Sequence, residues 1–94
     1  MNMKRFFFAL VVALMALPSM AQLRWGLVKE EGGFTNVRKG PGTKYAIVGK
    51  VLDGGFILIS GDINDRWYKI YTQKGVLRGY ISANKVMRLE SPAF

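Results

Sequence analysis

The hydrophobic positions after residue 22 fall in short runs of β-branched and aromatic residues, which glycine, proline, asparagine or aspartate interrupts every several positions. No stretch keeps a helical period, and the pattern is typical of a small all-β barrel or sandwich. The predicted extended segments are residues 24–29, 34–38, 45–52, 56–60, 66–72, 77–82 and 86–89. Residues 82–85 have the length of a single helical turn, which Ser82 can cap.

Alternation within two of these segments assigns side chains to opposite faces of a sheet. The predicted inward set is Tyr68, Ile70, Leu77, Gly79 and Ile81, and the outward set is Trp67, Lys69, Tyr71, Arg78 and Tyr80. Residues 56–60 are apolar at nearly every position, which predicts a central strand covered on both faces. The predicted core consists of Val28, Val37, Ile47, Val48, Val51, Phe56, Leu58, Ile59, Tyr68, Ile70, Ile81, Val86 and Leu89.

The first residues have the layout of a secretory signal peptide. Lys4 and Arg5 precede an unbroken apolar run over residues 6–17, and a helix breaker and small residues end at Ala21. The alternative is a membrane anchor, but the run is short against the roughly 20 residues that span a bilayer. We therefore predict a signal peptide over residues 1–21 and one domain over residues 22–94, exported to the periplasm or secreted, with no transmembrane segment after processing.

The chain contains no cysteine and no histidine, which restricts its chemistry. Neither a Cys–His nor a Ser–His nucleophile pair can be assembled, and the usual zinc ligands are missing. The carboxylates fall mostly in predicted turns, where they usually shape the loop; they are Glu30, Glu31, Asp53, Asp62, Asp65 and Glu90. The sequence therefore predicts a non-catalytic protein with no cofactor and no metal, held together by packing without disulfides.

The charge balance is strongly basic. The net charge of +8 becomes +6 when the two charges of Lys4 and Arg5 leave with the signal peptide. Such a surface favours anionic partners, among them wall polymers, acidic lipids and acidic protein patches. Because the basic residues are dispersed, solubility alone is the favoured explanation. No nucleic-acid partner is expected for an exported protein.

A distinctive series of motifs carries a family resemblance. The motif residues are Asn36, Val37, Arg38, Gly40, Pro41, Gly42, Tyr45, Val48, Gly49, Trp67, Tyr68, Lys69, Ile70, Gly79, Tyr80, Ile81 and Val86. With them the chain resembles the bacterial SH3-like domain family over nearly all of residues 22–94. The resemblance implies an SH3-like β-barrel of five to six short strands with one short helical turn near the C-terminus.

The chain departs from the family pattern in two places. Tyr80 stands where the family often has tryptophan, and the hairpin between Ile70 and Gly79 is longer and more basic than a minimal one. Physically, Asn36 can bond nearby backbone, Arg38 can pair with an acid or bond loop carbonyls, and residues 40–42 set the geometry of a tight turn. We read Asn36, Gly40, Pro41 and Gly42 as a structural motif.

The aromatic residues are the candidates for ligand binding, because aromatic side chains are enriched in recognition surfaces. The candidate ligand-binding residues are Trp67, Tyr80, Tyr45, Tyr71 and Arg38. The resemblance implies a binding module, since many family members accompany cell-wall hydrolases. The leading prediction is an exported module that recognises a cell-wall peptide or glycan through an aromatic groove. The alternatives are an adaptor that docks onto another envelope protein, and a purely packing role for Trp67 against the Gly-Pro-Gly loop.

Overall fold

The computed structural model describes the backbone of residues 23–92 and the side chains of residues 23–89. The predicted signal peptide and its cut before Gln22 lie outside these residues. The elements are β1 Arg24–Val28, β2 Phe34–Arg38, β3 Ile47–Leu52, β4 Phe56–Ser60, β5 Trp67–Tyr71, β6 Leu77–Ser82, the 3-10 turn Ala83–Lys85 and β7 Val86–Pro92. The all-β prediction with one short helical turn is confirmed. Strands β2, β4 and β6 have the predicted bounds.

All seven strands belong to one antiparallel sheet in the order β3-β2-β6-β5-β4-β1-β7. The pairing of Arg38 with Tyr80 joins β2 to β6 and so connects the β2–β3 hairpin to the rest of the sheet. Val51 from one edge strand and Val86 from the other pack against the same buried cluster. The sheet therefore curls around one core, as in an SH3-like fold.

The buried cluster lies on the inner face and takes residues from five strands. Its members are Val28, Val37, Ile57, Ile59, Tyr68, Ile70 and Ile81. Gly79 is buried where β6 approaches β2, and a Cβ atom there would lie 2.7 Å from the Arg38 carbonyl oxygen and 2.7 Å from Val37 Cγ1. The close contact between these two strands therefore requires glycine.

The prediction of a buried position is wrong for three residues of the predicted core. Ile47, Val48 and Phe56 are 54%, 53% and 62% exposed. Ile47 and Val48 belong to β3, which ends the sheet and pairs only with β2 within the described residues. Phe56 is the first residue of a strand that is apolar at four successive positions. Polar and apolar residues do not alternate there, so the sequence did not show which side chains point inward.

The pairing of β4 with β5 shows which side chains of β4 point inward. Ile59 pairs with the inward Ile70, whereas Leu58 pairs with the outward Tyr71. Ile57 and Ile59 therefore point inward, and Phe56 and Leu58 point outward. Leu58 is nevertheless only 2% exposed, so this strand is covered on both faces at its middle but not at its start.

The predicted inward face of Leu77 is wrong, because β6 contains a β-bulge. Ile70 pairs with Gly79 but the next residue, Tyr71, pairs with Leu77, which leaves Arg78 as an additional residue in β6. The bulge reverses the alternation, so Leu77 lies opposite Tyr71 on the outer face and is 47% exposed. The predicted inward positions of Tyr68, Ile70, Gly79 and Ile81 are confirmed.

The predicted capping role of Ser82 is also wrong. Ser82 occupies the N-cap position of the 3-10 turn but makes no side-chain capping bond. Its hydroxyl donates instead to Asn84 Oδ1 at 2.7 Å. The first N–H of the turn has another acceptor, because the Ala83 N–H donates to the Arg66 carbonyl at 2.8 Å. The N–H of Val86 donates to the Ala83 carbonyl and closes the turn.

Candidate functional site

A continuous row of polar and aromatic side chains crosses the outer face of four strands. Arg38 on β2 lies opposite Tyr80 on β6, and Tyr80 lies opposite Lys69 on β5. Lys69 in turn lies opposite Ser60 on β4. Side chains at directly paired positions share a face of the sheet and lie about 5 Å apart at Cβ. We call the series Arg38, Tyr80, Lys69 and Ser60 the outer row.

Trp67 extends this surface on the next pair along the same strands. It lies opposite Ser82, and both Trp67 and Tyr80 are half-buried. Neither aromatic belongs to the inner cluster, so each leaves part of its ring available on the outer surface. The structure thus brings together three predicted site residues, Trp67, Tyr80 and Arg38.

Arg38 also holds the turn that follows β2. Its Nη1 donates to the main-chain oxygens of Thr43 and Tyr45, each at 3.0 Å. These two bonds tie the start of the loop to its end. Arg38 therefore has a clear structural task, which corresponds to loop-carbonyl bonding, one of the two interpretations open from the sequence.

Tyr45 packs on the Gly-Pro-Gly loop. A Cβ atom at Gly40 would lie 2.5 Å from the Tyr45 ring, and one at Gly42 would lie 3.4 Å from it. The Lys44 ammonium lies 5.5 Å from the centroid of the same ring. One face of Tyr45 is thus occupied by the loop, although the side chain remains 38% exposed.

A polar concavity of about 260 Å³ borders the outer row. Asn36, Arg38 and Ser82 line it, together with Glu30 and Lys85, which form an ion pair. The Asn36 amide makes no side-chain hydrogen bond to the described residues, so the proposed backbone bond of Asn36 is not formed. Asn36 is instead a half-buried strand residue with its polar group beside the concavity.

The described carboxylates act mainly in turns. Asp53 Oδ1 accepts the N–H of Glu30 at 2.9 Å, and Asp65 Oδ2 accepts the N–H of Asp62 at 2.8 Å. These bonds close loops at two places on the fold. They match the loop-shaping role that the sequence indicated for carboxylates in turns.

Tyr71 belongs to a different surface from Trp67. The two side chains share the outer face of β5, but they are four positions apart, which is about 13 Å along a strand. Tyr71 lines a concavity of about 460 Å³ with Trp25, Phe56 and Leu58. The structure therefore divides the five predicted site residues between separate surfaces.

Sequence reasoning missed Trp25 and Arg78 as surface residues of interest. The alternation in β1 could have identified Trp25. Gly26 and Val28 are buried on the inner face, so Trp25 and Leu27 point to the opposite, outer face. The available signal for the bulge at Arg78 was Gly79, because a glycine inside a strand often marks a bulge. The hydrophobic pattern gave no signal, since only Leu77 precedes Arg78 in β6. Lys69 was assigned to the outer face, but its place between Tyr80 and Ser60 needed the strand register.

Comparison with known proteins supports a binding role. A family model described as "Bacterial SH3 domain" matches residues 33–86, which include β2 to β6 and the 3-10 turn. No curated protein matches the chain. Domains of this family are binding modules, often related to the cell wall and commonly extracellular or associated with the envelope. Within residues 23–92, no helix is long and apolar enough to cross a bilayer.

Proposed function

Because the chain belongs to the bacterial SH3 domain family, we propose that it is an exported, non-catalytic module that binds a cell-wall peptide or glycan on the outer row. Residues 1–21 act as the signal peptide in this proposal, and residues 22–94 form the working protein. The observation that carries the proposal is the juxtaposition of Trp67, Tyr80 and Lys69 on one outward face.

The geometry of the outer row suits an extended ligand. Arg38, Tyr80, Lys69 and Ser60 run across the strands, so a polymer laid along them meets aromatic and polar groups in succession. Trp67 and Tyr80 are partly exposed and offer broad contact area with little loss of side-chain freedom. No acidic residue occurs in the row, and Lys69 is exposed.

The charge of the row favours a ligand with carboxylates. Lys69 makes no ion pair within residues 23–89, and the ion pair described there joins Lys85 to Glu30. Wall peptides and wall glycans both carry carboxylates beside apolar surfaces, so both fit this chemistry. Arg38 contributes charge, but its Nη1 group is already engaged with the loop, so we assign it chiefly to positioning the loop.

Cosedimentation of the processed protein with purified sacculi tests the proposal. We expect the wild type to pellet with the sacculi, and Trp67→Ala or Tyr80→Ala to weaken retention about tenfold each, which is the usual effect of losing one aromatic anchor. Phe56→Ala is the matched control, because it removes an exposed aromatic that lies on β4 four positions from Ser60, about 13 Å along the strand from the row. Retention that is equal in all four proteins, or absent in the wild type, would contradict the proposal.

A further inference from the structure

We propose that a second surface, the Trp25 groove, docks an extended acidic protein segment that inserts an apolar side chain. The Trp25 groove is defined by Trp25, Phe56, Tyr71, Lys74 and Arg78, which line the concavity of about 460 Å³. It lies further along β4 and β5 than the outer row, towards the turn that joins β5 to β6, and it reaches β1 through Trp25. The inference does not depend on binding of a wall polymer.

The floor of the Trp25 groove is apolar and consists of Leu58 together with Ile57 and Ile70, which belong to the inner cluster. Leu58 is 2% exposed but is not part of the inner cluster. Its direct neighbours across the sheet are Trp25 on β1 and Tyr71 on β5, which both point outward with it. Outer faces of antiparallel sheets are normally polar, so a cross-strand row of Trp, Leu and Tyr on this face indicates a surface that contacts another molecule.

The edge of the groove exposes further apolar area. Phe56 points outward two residues before Leu58 and is 62% exposed. It pairs with Leu27, another outward side chain, which continues the apolar surface across β1. Tryptophan and tyrosine beside an aliphatic floor form the kind of pocket that dominates protein–protein binding energies.

Two cations at the rim specify the charge of the partner. Arg78 is the additional residue of the β6 bulge, and this bulge removes it from the regular alternation of the strand. Lys74 lies in the turn closed by the bond from the Gly75 N–H to the Thr72 carbonyl at 2.9 Å. No acidic residue lines the concavity, and neither cation has an ion pair within residues 23–89. Carboxylates are therefore the complementary groups.

The floor favours a protein segment over a glycan. The Leu58 side chain has no polar atom, so the centre of the Trp25 groove favours binding of an aliphatic or aromatic side chain. The cations at the rim favour carboxylates on either side of that side chain. An extended segment that alternates acidic and apolar residues presents both groups. Trp25 also lies outside the residues 33–86 that the family model matches, so the groove joins a feature of this chain to the shared domain.

Titration of isotope-labelled processed protein with blocked hexapeptides tests this inference. The first probe alternates aspartate and leucine, the second replaces aspartate by lysine, and the third replaces leucine by serine. We expect the first probe alone to shift the Trp25 indole and the Lys74 and Arg78 amides, with an affinity that falls as salt screens the charges. A hyaluronan oligosaccharide serves as an acidic glycan probe.

Variants separate the roles of charge and fold. The double variant Lys74→Gln/Arg78→Gln should weaken binding of the aspartate–leucine peptide about tenfold or more. Lys44→Gln is the matched control, since it removes an exposed lysine on the Gly-Pro-Gly loop. Both proteins should keep wild-type retention on sacculi, so failure of this inference is distinguishable from failure of the proposed function.

Four results would overturn the inference. They are no shift at about 5 mM peptide, where millimolar affinity is visible, equal shifts with the lysine peptide, equal shifts with the serine peptide, and shifts with hyaluronan alone. The last result would assign the Trp25 groove to a glycan.

Discussion

The Arg38 guanidinium donates to the main-chain oxygen of Tyr45 at 3.0 Å, so a strand residue holds the far end of the Gly-Pro-Gly loop. The same Arg38 lies directly opposite Tyr80. Arg38 therefore both holds the Gly-Pro-Gly loop and belongs to the outer row, and a substitution at this position affects both.

Arg38→Ala should lower the free energy of unfolding by about 1–2 kcal/mol, because two loop carbonyls lose a charged donor in a partly exposed setting. Urea denaturation measures this loss, and amide exchange in residues 39–46 should become faster. Lys39→Ala is the matched control, since its side chain is exposed and its described hydrogen bond is made by the backbone N–H to the Ala46 carbonyl. Equal stability of the two variants would show that the arginine does not hold the loop.

Gly79→Ala should destabilise the protein by about 1–3 kcal/mol, as overpacking does. The new methyl would lie 2.7 Å from the Arg38 carbonyl and from Val37 Cγ1, which forces β6 away from β2. Gly49→Ala is the matched control, because a Cβ atom there meets nothing within 4 Å. Thermal unfolding compares the two proteins, and equal melting temperatures would contradict the close approach of the two strands.

Ile59→Ala should cost about 2–5 kcal/mol, whereas Phe56→Ala should cost less than about 1 kcal/mol. Ile59 is 2% exposed inside the cluster, and Phe56 is 62% exposed outside it. Urea denaturation of both variants checks the difference. A larger loss for the phenylalanine would restore the assignment of Phe56 to the core that the sequence favoured.

The contrast between Ile59 and Phe56 shows what sequence alone could and could not supply. Alternation fixed the inward faces of Tyr68, Ile70 and Ile81 because polar and apolar positions differ there. The run FILIS has no such contrast, so only its pairing with β1 and β5 distinguishes the two faces. The wrong face predicted for Leu77 has a related cause. The bulge adds one residue to β6 at Arg78, and the order of hydrophobic and polar residues does not show that the faces switch there.

The candidate site was predictable in part for the same reason. Trp67 and Tyr80 were assigned to the outer face because their strands alternate clearly. Their alignment with Lys69 and Ser82 depends on the register between strands, and pattern analysis of single strands does not supply it. The separation of Tyr71 from Trp67 follows from their spacing along β5, whereas the grouping of Tyr71 with Trp25 needed the register, which places both beside Leu58.

Lys85→Met should change the free energy of unfolding by less than about 1 kcal/mol, although it removes the ion pair with Glu30. The two side chains are 41% and 33% exposed, so water and salt screen their attraction. Denaturation at low and at high salt measures the effect. A loss of several kcal/mol would mean that the pair, and not the packed core, anchors the 3-10 turn.

The most direct test of the central claim is a chemical-shift titration of the isotope-labelled processed protein with soluble peptidoglycan fragments. The account predicts shifts at the Trp67 indole and at the amides of Lys69, Tyr80 and Ser82, all on the outer face of β5 and β6. Shifts that are confined to other parts of the sheet, or a spectrum that does not change at saturating fragment concentrations, would contradict it.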